Sequence, residues 1–348
     1  MSQSENAPLI GLIASKNPVP ALEATVRSLF KGGASRVVVV DDGSDDAESR
    51  QVFDNVEKLG GEVLHLKRNV GKAKALRAGF WILPHNCIIV QTDDDTLSGD
   101  LTGPLDMIRT GKADMVDIRV EVVKTTSLLG LVQELDYWLI NAVSKRVQDF
   151  FRARLWMSGA SVMYSYEAGK VIILEISHSI TEDTEGLFRA RANGFRIRYY
   201  SKHSAQFLTM VPEEFKAVKK QWLRWTTGNG QVMSIYGFGG GVPRIAAVNI
   251  FSWLDTLLPI PVAIRFGLVS SATWGFAICF VFGIVGAIRL KRPMLALVGV
   301  FLPLMTVFWT YMAFWGLFRA WNMARKGQKT QHAWESPKRT AVLEPVTA

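Results

Sequence analysis

Short apolar runs alternate with longer amphipathic stretches between residue 9 and about residue 120. The apolar runs predict strands at residues 9–14, 36–40, 62–66, 87–91 and 115–120, with helices near residues 19–30, 46–59 and 72–83 between them. This alternation is typical of an α/β domain with a mostly parallel sheet covered by helices. Because ligands bind such sheets at the carboxyl ends of the strands, we expect functional residues there.

The most apolar part of the chain lies beyond residue 245. Residues 268–288 and 294–318 contain no charged side chain, and each stretch is long enough to cross a hydrocarbon core as a helix. We therefore predict two transmembrane helices. A third apolar stretch, residues 246–264, contains Asp255, Pro259 and Pro261, which favours an interfacial or broken helix and leaves a third span open.

The formal net charge of +9 is concentrated around these apolar stretches. Basic residues lie between the two predicted spans and again after the second, which favours a membrane surface over nucleic acid as the partner: Arg289, Lys291, Arg292, Arg319, Arg325, Lys326 and Lys329. This distribution leaves the orientation open, with a modest preference for a hairpin that returns the tail to the cytoplasm. The polar start contains no secretory signal, so we expect a cytoplasmic catalytic domain at the plasma or inner membrane.

The predicted strand at residues 36–40 ends in two carboxylates, within the run VVVVDDGS at residues 37–44. An Asp-Gly turn followed by a helix cap explains this run without any ligand. Alternatively, Asp41 and Asp42 accept hydrogen bonds from a base or a ribose, as acidic residues do in other nucleotide-binding sheets.

Three consecutive carboxylates, Asp93, Asp94 and Asp95, end the fourth predicted strand, in IIVQTDDDT. Adjacent negative charges repel each other unless solvent or a cation compensates for them. Alternate residues of an extended segment point the same way, so Asp93 and Asp95 could share one Mg²⁺ or Mn²⁺. An acidic surface loop is the alternative.

Two further segments combine helix starts with charged side chains. Gly71 and Lys72 begin a predicted helix in RNVGKAKALRAGF, where they suit a diphosphate or a uracil edge, although a solvated basic face is also consistent with them. Asp183 begins another helix in SITEDTEGLFRARANGF, where it is either a capping residue or a general base kept ionised by the helix N-terminus.

The run KKQWLRW, at residues 219–225, lies on a predicted amphipathic helix just before the membrane region. Gln221, Arg224 and Trp225 are three and four residues apart and therefore share one helical face. Sugar rings stack on tryptophan and phosphates bind arginine, so this face suits an acceptor and a diphosphate. An interfacial helix with Trp and Arg at headgroup depth is the alternative.

The order of VDDGS, GKA, DDD, TED and QWLRW resembles the membrane-bound branch of glycosyltransferase family 2, which includes hyaluronan, chitin and cellulose synthases. The resemblance covers roughly residues 8–230 and implies a Rossmann-like GT-A domain that transfers sugar from a UDP-sugar with inversion. It implies donor contacts at Asp41, Asp42, Lys72, Asp93 and Arg224. It implies a metal at Asp93 and Asp95. It implies Asp183 as the base and an acceptor site at Ser158, Gly159, Glu182, Gln221 and Trp225.

These observations divide the chain into a GT-A domain (1–205), an interfacial region (206–245), a transmembrane region (246–320) and a flexible basic tail (321–348). We expect synthesis of a polysaccharide on a saccharide acceptor. A polyprenyl-phosphate sugar transferase and a non-catalytic nucleotide-binding protein are the alternatives. Polymer synthases of this branch also have helices before the catalytic domain, and two or three helices can scarcely enclose a pore. We therefore expect an oligomer, a partner subunit or no translocation.

Overall fold

The amino-terminal part of the chain folds around a twisted sheet in a computed structural model that describes residues 6–175, 178–237, 242–247 and 268–326. Its strands are β1 (Leu9–Ser15), β2 (Arg36–Asp41), β3 (Glu62–His65), β4 (Ile88–Thr92), β5 (Thr96–Leu97), β6 (Met115–Ile118), β7 (Val120–Val122), β8 (Val162–Ser165), β9 (Ile197–Tyr200) and β10 (Phe207–Thr209).

In the described residues, seven strands form the main sheet in the order β3-β2-β1-β4-β8-β6-β9, and β5, β10 and β7 form a small one. Strand β8 runs antiparallel to both neighbours, and the other pairs of the main sheet are parallel. The prediction of one strand at residues 115–120 was wrong. The chain leaves the main sheet at Arg119, because β6 pairs with β9 whereas β7 pairs with β10.

Helices cover the sheet as α1 (Ala21–Lys31), α2 (Ala47–Lys58), α3 (Lys72–Trp81), α4 (Thr102–Arg109), α5 (Leu128–Leu139), α6 (Lys145–Phe150), α7 (Tyr166–Gly169), α8 (Glu182–Ala192) and α9 (Phe215–Tyr236). The three predicted helices of the first half correspond to α1, α2 and α3. A π-helical turn, Ile140–Ser144, joins α5 to α6.

The strands read as continuous apolar runs because both faces of the sheet are covered. In β2, Val37 and Val39 belong to the core under α1 and α2, whereas Val38 and Val40 belong to the core under α3. Burial on both sides removes any need for polar residues until the strand ends, at Asp41. The two layers therefore confirm the α/β prediction and leave the strand ends for polar side chains.

The C-terminal part contains α10 (Leu268–Leu290), α11 (Met294–Val298) and α12 (Leu302–Arg325), with a 3₁₀ turn at Gly299–Phe301 between the last two. Among the described residues, one helix, Met294–Arg325, is long and apolar enough to cross a membrane, with a mean hydropathy of 1.9. The apolar helix Gly275–Leu290 is shorter, so the first predicted span remains a prediction. Of the predicted third stretch, residues 248–264 lie outside the described residues, as does the tail beyond residue 326.

Candidate active site

A cavity of about 610 Å³ opens between the strand ends, α8, α9 and α12. It brings together residues that are far apart in sequence but were assigned to one site. The predicted residues that line it are Lys72, Asp93, Ser158, Gly159, Glu182, Asp183, Gln221, Arg224 and Trp225. Asp41, Asp42 and Asp95 do not line it.

Asp183 lies in the first turn of α8, beside the residues that precede β8. The Gly159 N–H donates to its Oδ2 at 3.0 Å, and the Thr184 N–H donates to its Oδ1 at 2.7 Å. A β-carbon at Gly159 would lie 3.1 Å from Asp183 Oδ2, so glycine permits this close approach. Two backbone donors therefore fix the orientation of the carboxylate towards the cavity.

Burial, and after it the neighbouring carboxylate of Glu182, raise the pKa of Asp183, and the net value is about 6. Lys72 and the two backbone hydrogen bonds act in the opposite direction. The result is a carboxylate of raised basicity that is still mainly deprotonated at neutral pH, which is the state that a general base requires.

Lys72, the first residue of α3, supplies the positive charge of the cavity wall. Its Nζ lies 2.5 Å from Asp93 Oδ1 and 3.6 Å from Glu182 Oε1. Burial by itself would lower the pKa of Lys72, but the charges of Asp93, Glu182 and Asp183 raise it above its ordinary value. Lys72 is therefore a permanent cation that joins the end of β4 to the start of α8.

Asp41 and Asp42 bind the backbone of loops at the end of the sheet where Lys72 lies. Asp42 accepts hydrogen bonds from the backbone N–H groups of Val70 and Gly71, at 2.6 and 2.9 Å, and so holds the loop that begins α3. Asp41 accepts from the Ser44 N–H at 2.8 Å and lies 2.8 Å from His65 Nδ1. A role for either carboxylate at a base or ribose remains a prediction.

The three consecutive aspartates diverge at the end of β4. Asp93 reaches the cavity, Asp94 accepts a 2.6 Å hydrogen bond from Ser15 Oγ, and Asp95 is only 1% exposed, near Thr96 Oγ1. A shared metal on Asp93 and Asp95 remains a prediction.

The oxygen donors nevertheless fit a hard divalent cation. Among the described residues, no group of three or more His, Cys, Asp or Glu side chains is arranged to hold a metal. Mg²⁺ is commonly held by one or two carboxylates together with substrate phosphates rather than by an all-protein cage. Asp93, with 26% of its side chain exposed, would present such an oxygen at the cavity wall, whereas Asp95, two residues further along the chain, is buried.

Helix α9 carries the predicted acceptor face and is hydrogen-bonded to the loop before Asp183. Ser179 Oγ donates to the Gly228 carbonyl, and the Ile180 N–H donates to Gln231 Oε1, each at 3.0 Å. Gln221 Oε1 is buried without a hydrogen-bond partner in the described part of the chain, which leaves it available to a ligand hydroxyl. Two hydrogen bonds thus join the helix that carries the predicted acceptor face to the segment that precedes the candidate base.

Sequence reasoning missed several residues that line the same cavity, among them Asp136, Tyr137, Trp222 and Trp309. The Trp222 ring stacks on the Trp309 ring at 5.0 Å and meets the Trp225 ring edge-on at 5.2 Å. Trp222 belongs to the QWLRW motif, so the sequence offered a signal for it. Trp309 lies within the predicted membrane span at residues 294–318, where no motif indicates a site residue. Burial raises the pKa of Asp136 well above its ordinary value, and no hydrogen bond to its carboxyl is present among the described residues.

The match to a sequence family agrees with this geometry. The family described as glycosyl transferase family group 2 matches residues 88–318. The chain belongs to this family. The match includes β4, the Asp183 segment, the whole of α9 and most of α12. It confirms the resemblance drawn from the five motifs.

Relatives and a solved structure extend the comparison. The poly-β-1,6-N-acetyl-D-glucosamine synthase of Staphylococcus aureus (strain COL) is 26% identical over 228 residues, which cover 64% of this chain and 54% of that protein. The chain thus spans about half the length of this relative. The synthase of Staphylococcus epidermidis is 24% identical over a stretch of the same length.

A mannosyltransferase from Pyrobaculum calidifontis, solved with GDP-mannose and Mn²⁺, superposes with a TM-score of 0.58 at 15% identity. The superposition covers 94% of this chain and 89% of that one. At this identity the likeness concerns the fold. It confirms the GT-A prediction for this family member.

Proposed function

We propose that this family member is an inverting glycosyltransferase that moves a sugar from a UDP-sugar to a saccharide acceptor at a membrane surface. The observation that carries the proposal is the placement of Asp183 in one cavity with Lys72 and Asp93 on one side and Gln221, Arg224 and Trp225 on the other. A base, a phosphate-binding cation and a sugar-stacking ring are the groups that this reaction needs.

In the proposed reaction the acceptor hydroxyl gives its proton to the Asp183 carboxylate as its oxygen forms a bond to the anomeric carbon. The bond from that carbon to the donor phosphate breaks, and the nucleoside diphosphate leaves with the electron pair. Attack from the face opposite the leaving group inverts the anomeric centre. Lys72 and Arg224 would attract the negative charge that develops on the diphosphate.

A divalent cation would neutralise further charge on the leaving diphosphate when it is bound. Asp93, at the cavity wall, and the buried Asp95 are the residues that would hold it. The fold neighbour was solved with Mn²⁺ and a nucleotide-diphosphate sugar, which supports both as ligands of this chain. Uridine as the base is proposed from the motif resemblance.

The acceptor is proposed to lie against α9, where the indole of Trp225 would stack on its terminal sugar. The curated relatives are named as synthases of a β-1,6-linked N-acetylglucosamine polymer, which supports a saccharide acceptor. The catalytic domain would face the cytoplasm, and the apolar C-terminal helices would associate with lipid. A second copy or a partner subunit would be required for any translocation of a polymer.

One observation favours a lipid-linked acceptor as the second candidate. Trp309 and Ala313 of the apolar helix α12 form part of the cavity wall, so a lipid could reach the site along that helix. A polyprenyl phosphate would then receive a single sugar. The two candidates share the donor site and the base, and differ in the chemistry of the product.

The product distinguishes these two functions. Purified protein in lipid, supplied with radiolabelled UDP-sugars and Mg²⁺ or Mn²⁺, should yield a water-soluble ladder that a glycosidase degrades. A single organic-extractable product that mild acid cleaves would establish the lipid-phosphate alternative instead. Binding of nucleotide without turnover of any sugar would favour a non-catalytic protein.

Trp225→Ala should reduce transfer to a saccharide acceptor roughly 10- to 100-fold, because stacking on an aromatic ring contributes about 1–3 kcal/mol, a range taken from nucleic-acid bases. Hydrolysis of the donor by water should change far less, since it needs no acceptor. Initial rates of both reactions give the comparison. Trp81→Ala is the matched control, because Trp81 is 63% exposed on α3 and does not line the cavity. Full transfer activity in Trp225→Ala would contradict this role.

Asp136 provides a further test of the acceptor region. A neutral carboxyl can exchange a hydrogen bond with a sugar hydroxyl, so Asp136→Ala should raise the acceptor KM about 3- to 10-fold. Asp136→Asn, which is also neutral and polar, should stay close to the native value. Equal KM values for the native protein and Asp136→Ala would show that this side chain does not contact the acceptor.

A further inference from the structure

The loop between the two apolar helices is attached to the catalytic domain. Arg292 Nη2 donates to the Thr125 carbonyl at 2.5 Å and lies 3.6 Å from Glu134 Oε2. Glu134 lies on α5, and Thr125 just precedes that helix. If the two apolar helices were the only spans, this loop would emerge on the far side of the bilayer, out of reach of the domain. The contact therefore places the loop on the same side as the domain.

Apolar packing continues from this loop into the first part of the long helix. Side chains of α5 form one buried cluster with the end of α10, with α11 and with the start of α12: Leu131, Val132, Leu135, Trp138, Ala287, Leu295, Val298, Leu302 and Met305. Gly286 lies so close to α5 that a β-carbon there would be 2.5 Å from Leu135 Cδ1. The catalytic domain thus holds the hairpin at its closed end.

The rest of α12 lies along α9. The Phe308 and Phe215 rings are 5.4 Å apart, Gly316 packs against Thr226, and Met323 Sδ lies 3.9 Å from Gln231 Nε2. The partners occur in the same order along both helices, which therefore run parallel. Together with the α5 cluster, the contacts extend from residue 295 to residue 323, about 40 Å of helix. A hydrocarbon core is only about 30 Å thick, so a perpendicular span would carry the domain into the lipid.

The charges of α9 oppose such a position. Lys216, Lys219 and Lys220 are exposed near the start of α9, the end that contacts Phe308. If the basic end of α12 at Arg325 marked the membrane surface, these ammonium groups would lie roughly 25 Å below it. Charged side chains at that depth are costly and would need partners or water.

The outward face of the long helix is suited to lipid. Only 28% of the most apolar segment of this helix is buried in the protein. Large apolar side chains recur every three or four residues on the exposed face: Leu297, Leu304, Val307, Tyr311, Phe314, Trp315, Phe318 and Trp321. Exposed cations follow at the ends, and the Arg325 guanidinium lies 4.7 Å from the centre of the Trp321 ring. An apolar face rich in aromatic residues with flanking cations is typical of a helix in the membrane interface.

We propose that the C-terminal hairpin is a monotopic anchor that lies in the plane of one anionic phospholipid leaflet. Residues 294–325 insert their outward face into this leaflet and keep their inward face on α5 and α9. The loop at residues 291–293 and the end of α12 both stay on the side of the catalytic domain. This differs from the two-span hairpin that the sequence predicts, and it does not depend on which sugar is transferred.

Cysteine labelling tests the side on which the loop lies. In a chain with Cys87→Ala and Cys279→Ala, single cysteines are placed by Arg289→Cys at the end of α10 beside the loop, by Lys326→Cys after α12 and by Glu48→Cys on the catalytic domain. An impermeant maleimide should label all three in inverted vesicles and none in sealed right-side-out vesicles. Labelling of Arg289→Cys only from the side opposite to Glu48→Cys would overturn the proposal.

Depth measurements test the orientation of the helix itself. Leu304→Cys, Tyr311→Cys and Phe318→Cys, each carrying a fluorophore, should be quenched most strongly by the same shallow position of a nitroxide lipid. A perpendicular helix would place the first and last about 20 Å apart in depth. Depths that differ by this amount would contradict the proposal. Cross-linking of these cysteines to a second copy of the chain would also contradict it, because the outward face of α12 would then contact protein instead of lipid. Both measurements can be read from protein that has lost activity.

Discussion

Replacing Asp183 by asparagine should lower the rate of sugar transfer about 10²- to 10⁴-fold, the usual contribution of a general base. The amide keeps the shape of the side chain and one oxygen for the Gly159 or Thr184 N–H, but it cannot accept the acceptor proton. Donor affinity should be preserved, because Lys72 and Asp93 are unchanged. Initial transfer rates and a nucleotide-binding titration measure the two effects separately.

Asp46→Asn is a suitable control for this variant. Asp46 also begins a helix and accepts a hydrogen bond from a backbone N–H, that of Ser49 at 2.6 Å, but it does not line the cavity. Asparagine caps helices about as well as aspartate, so this variant should keep native activity. If Asp183→Asn also transfers sugar at nearly the native rate, another residue is the base.

The raised pKa of Asp183 predicts the acidic limb of the pH profile. With a pKa of about 6, the carboxylate is mostly ionised at neutral pH and becomes protonated, and therefore inactive as a base, as the pH falls. The transfer rate should fall about tenfold for each unit of pH below about 6. If the transfer rate stays constant as the pH falls to the ordinary pKa of an exposed aspartate, Asp183 is not the base.

Removing divalent metal should abolish transfer, and Asp95→Ala should do the same in the presence of metal. Charge stabilisation by a bound cation is worth several kcal/mol, which corresponds to a loss of about 10³-fold or more. Donor binding by Asp95→Ala should no longer respond to added Mg²⁺ or Mn²⁺, whereas the native protein should bind more tightly with metal. Calorimetric titration of the nucleotide gives this readout without turnover.

Asp94→Asn is the matched control for the metal site, because Asp94 belongs to the same cluster but accepts a hydrogen bond from Ser15 Oγ. It should retain both activity and the response to metal. Native activity in excess chelator would refute the metal requirement. A metal response that survives in Asp95→Ala but disappears in Asp93→Ala would assign the cation to Asp93 alone.

The catalytic half of the site was largely accessible from sequence because its residues follow strand ends and helix starts. Such positions are set by local chain chemistry, so the apolar run before Asp93 and the polar start before Asp183 identified them without a structure. Trp309 and Asp136 were not accessible in this way. Both lie within apolar helices, where one tryptophan or one carboxylate has no local pattern that marks it as a wall of a distant cavity.

The amino-acid sequence by itself determined the order of strands and helices as far as β4, the family, and the candidate side chains for transfer of a sugar. These follow from periodicity and from motifs that act over a few residues. Only the tertiary structure decided which carboxylates share the cavity, how strongly burial raises the pKa of Asp183, and where the apolar helices lie. Residues 294–318 have the apolar composition of a membrane span, and this composition does not show whether the helix crosses the membrane or lies in its plane. Their contacts with α5 and α9 are long-range packing, which hydropathy along the chain does not record.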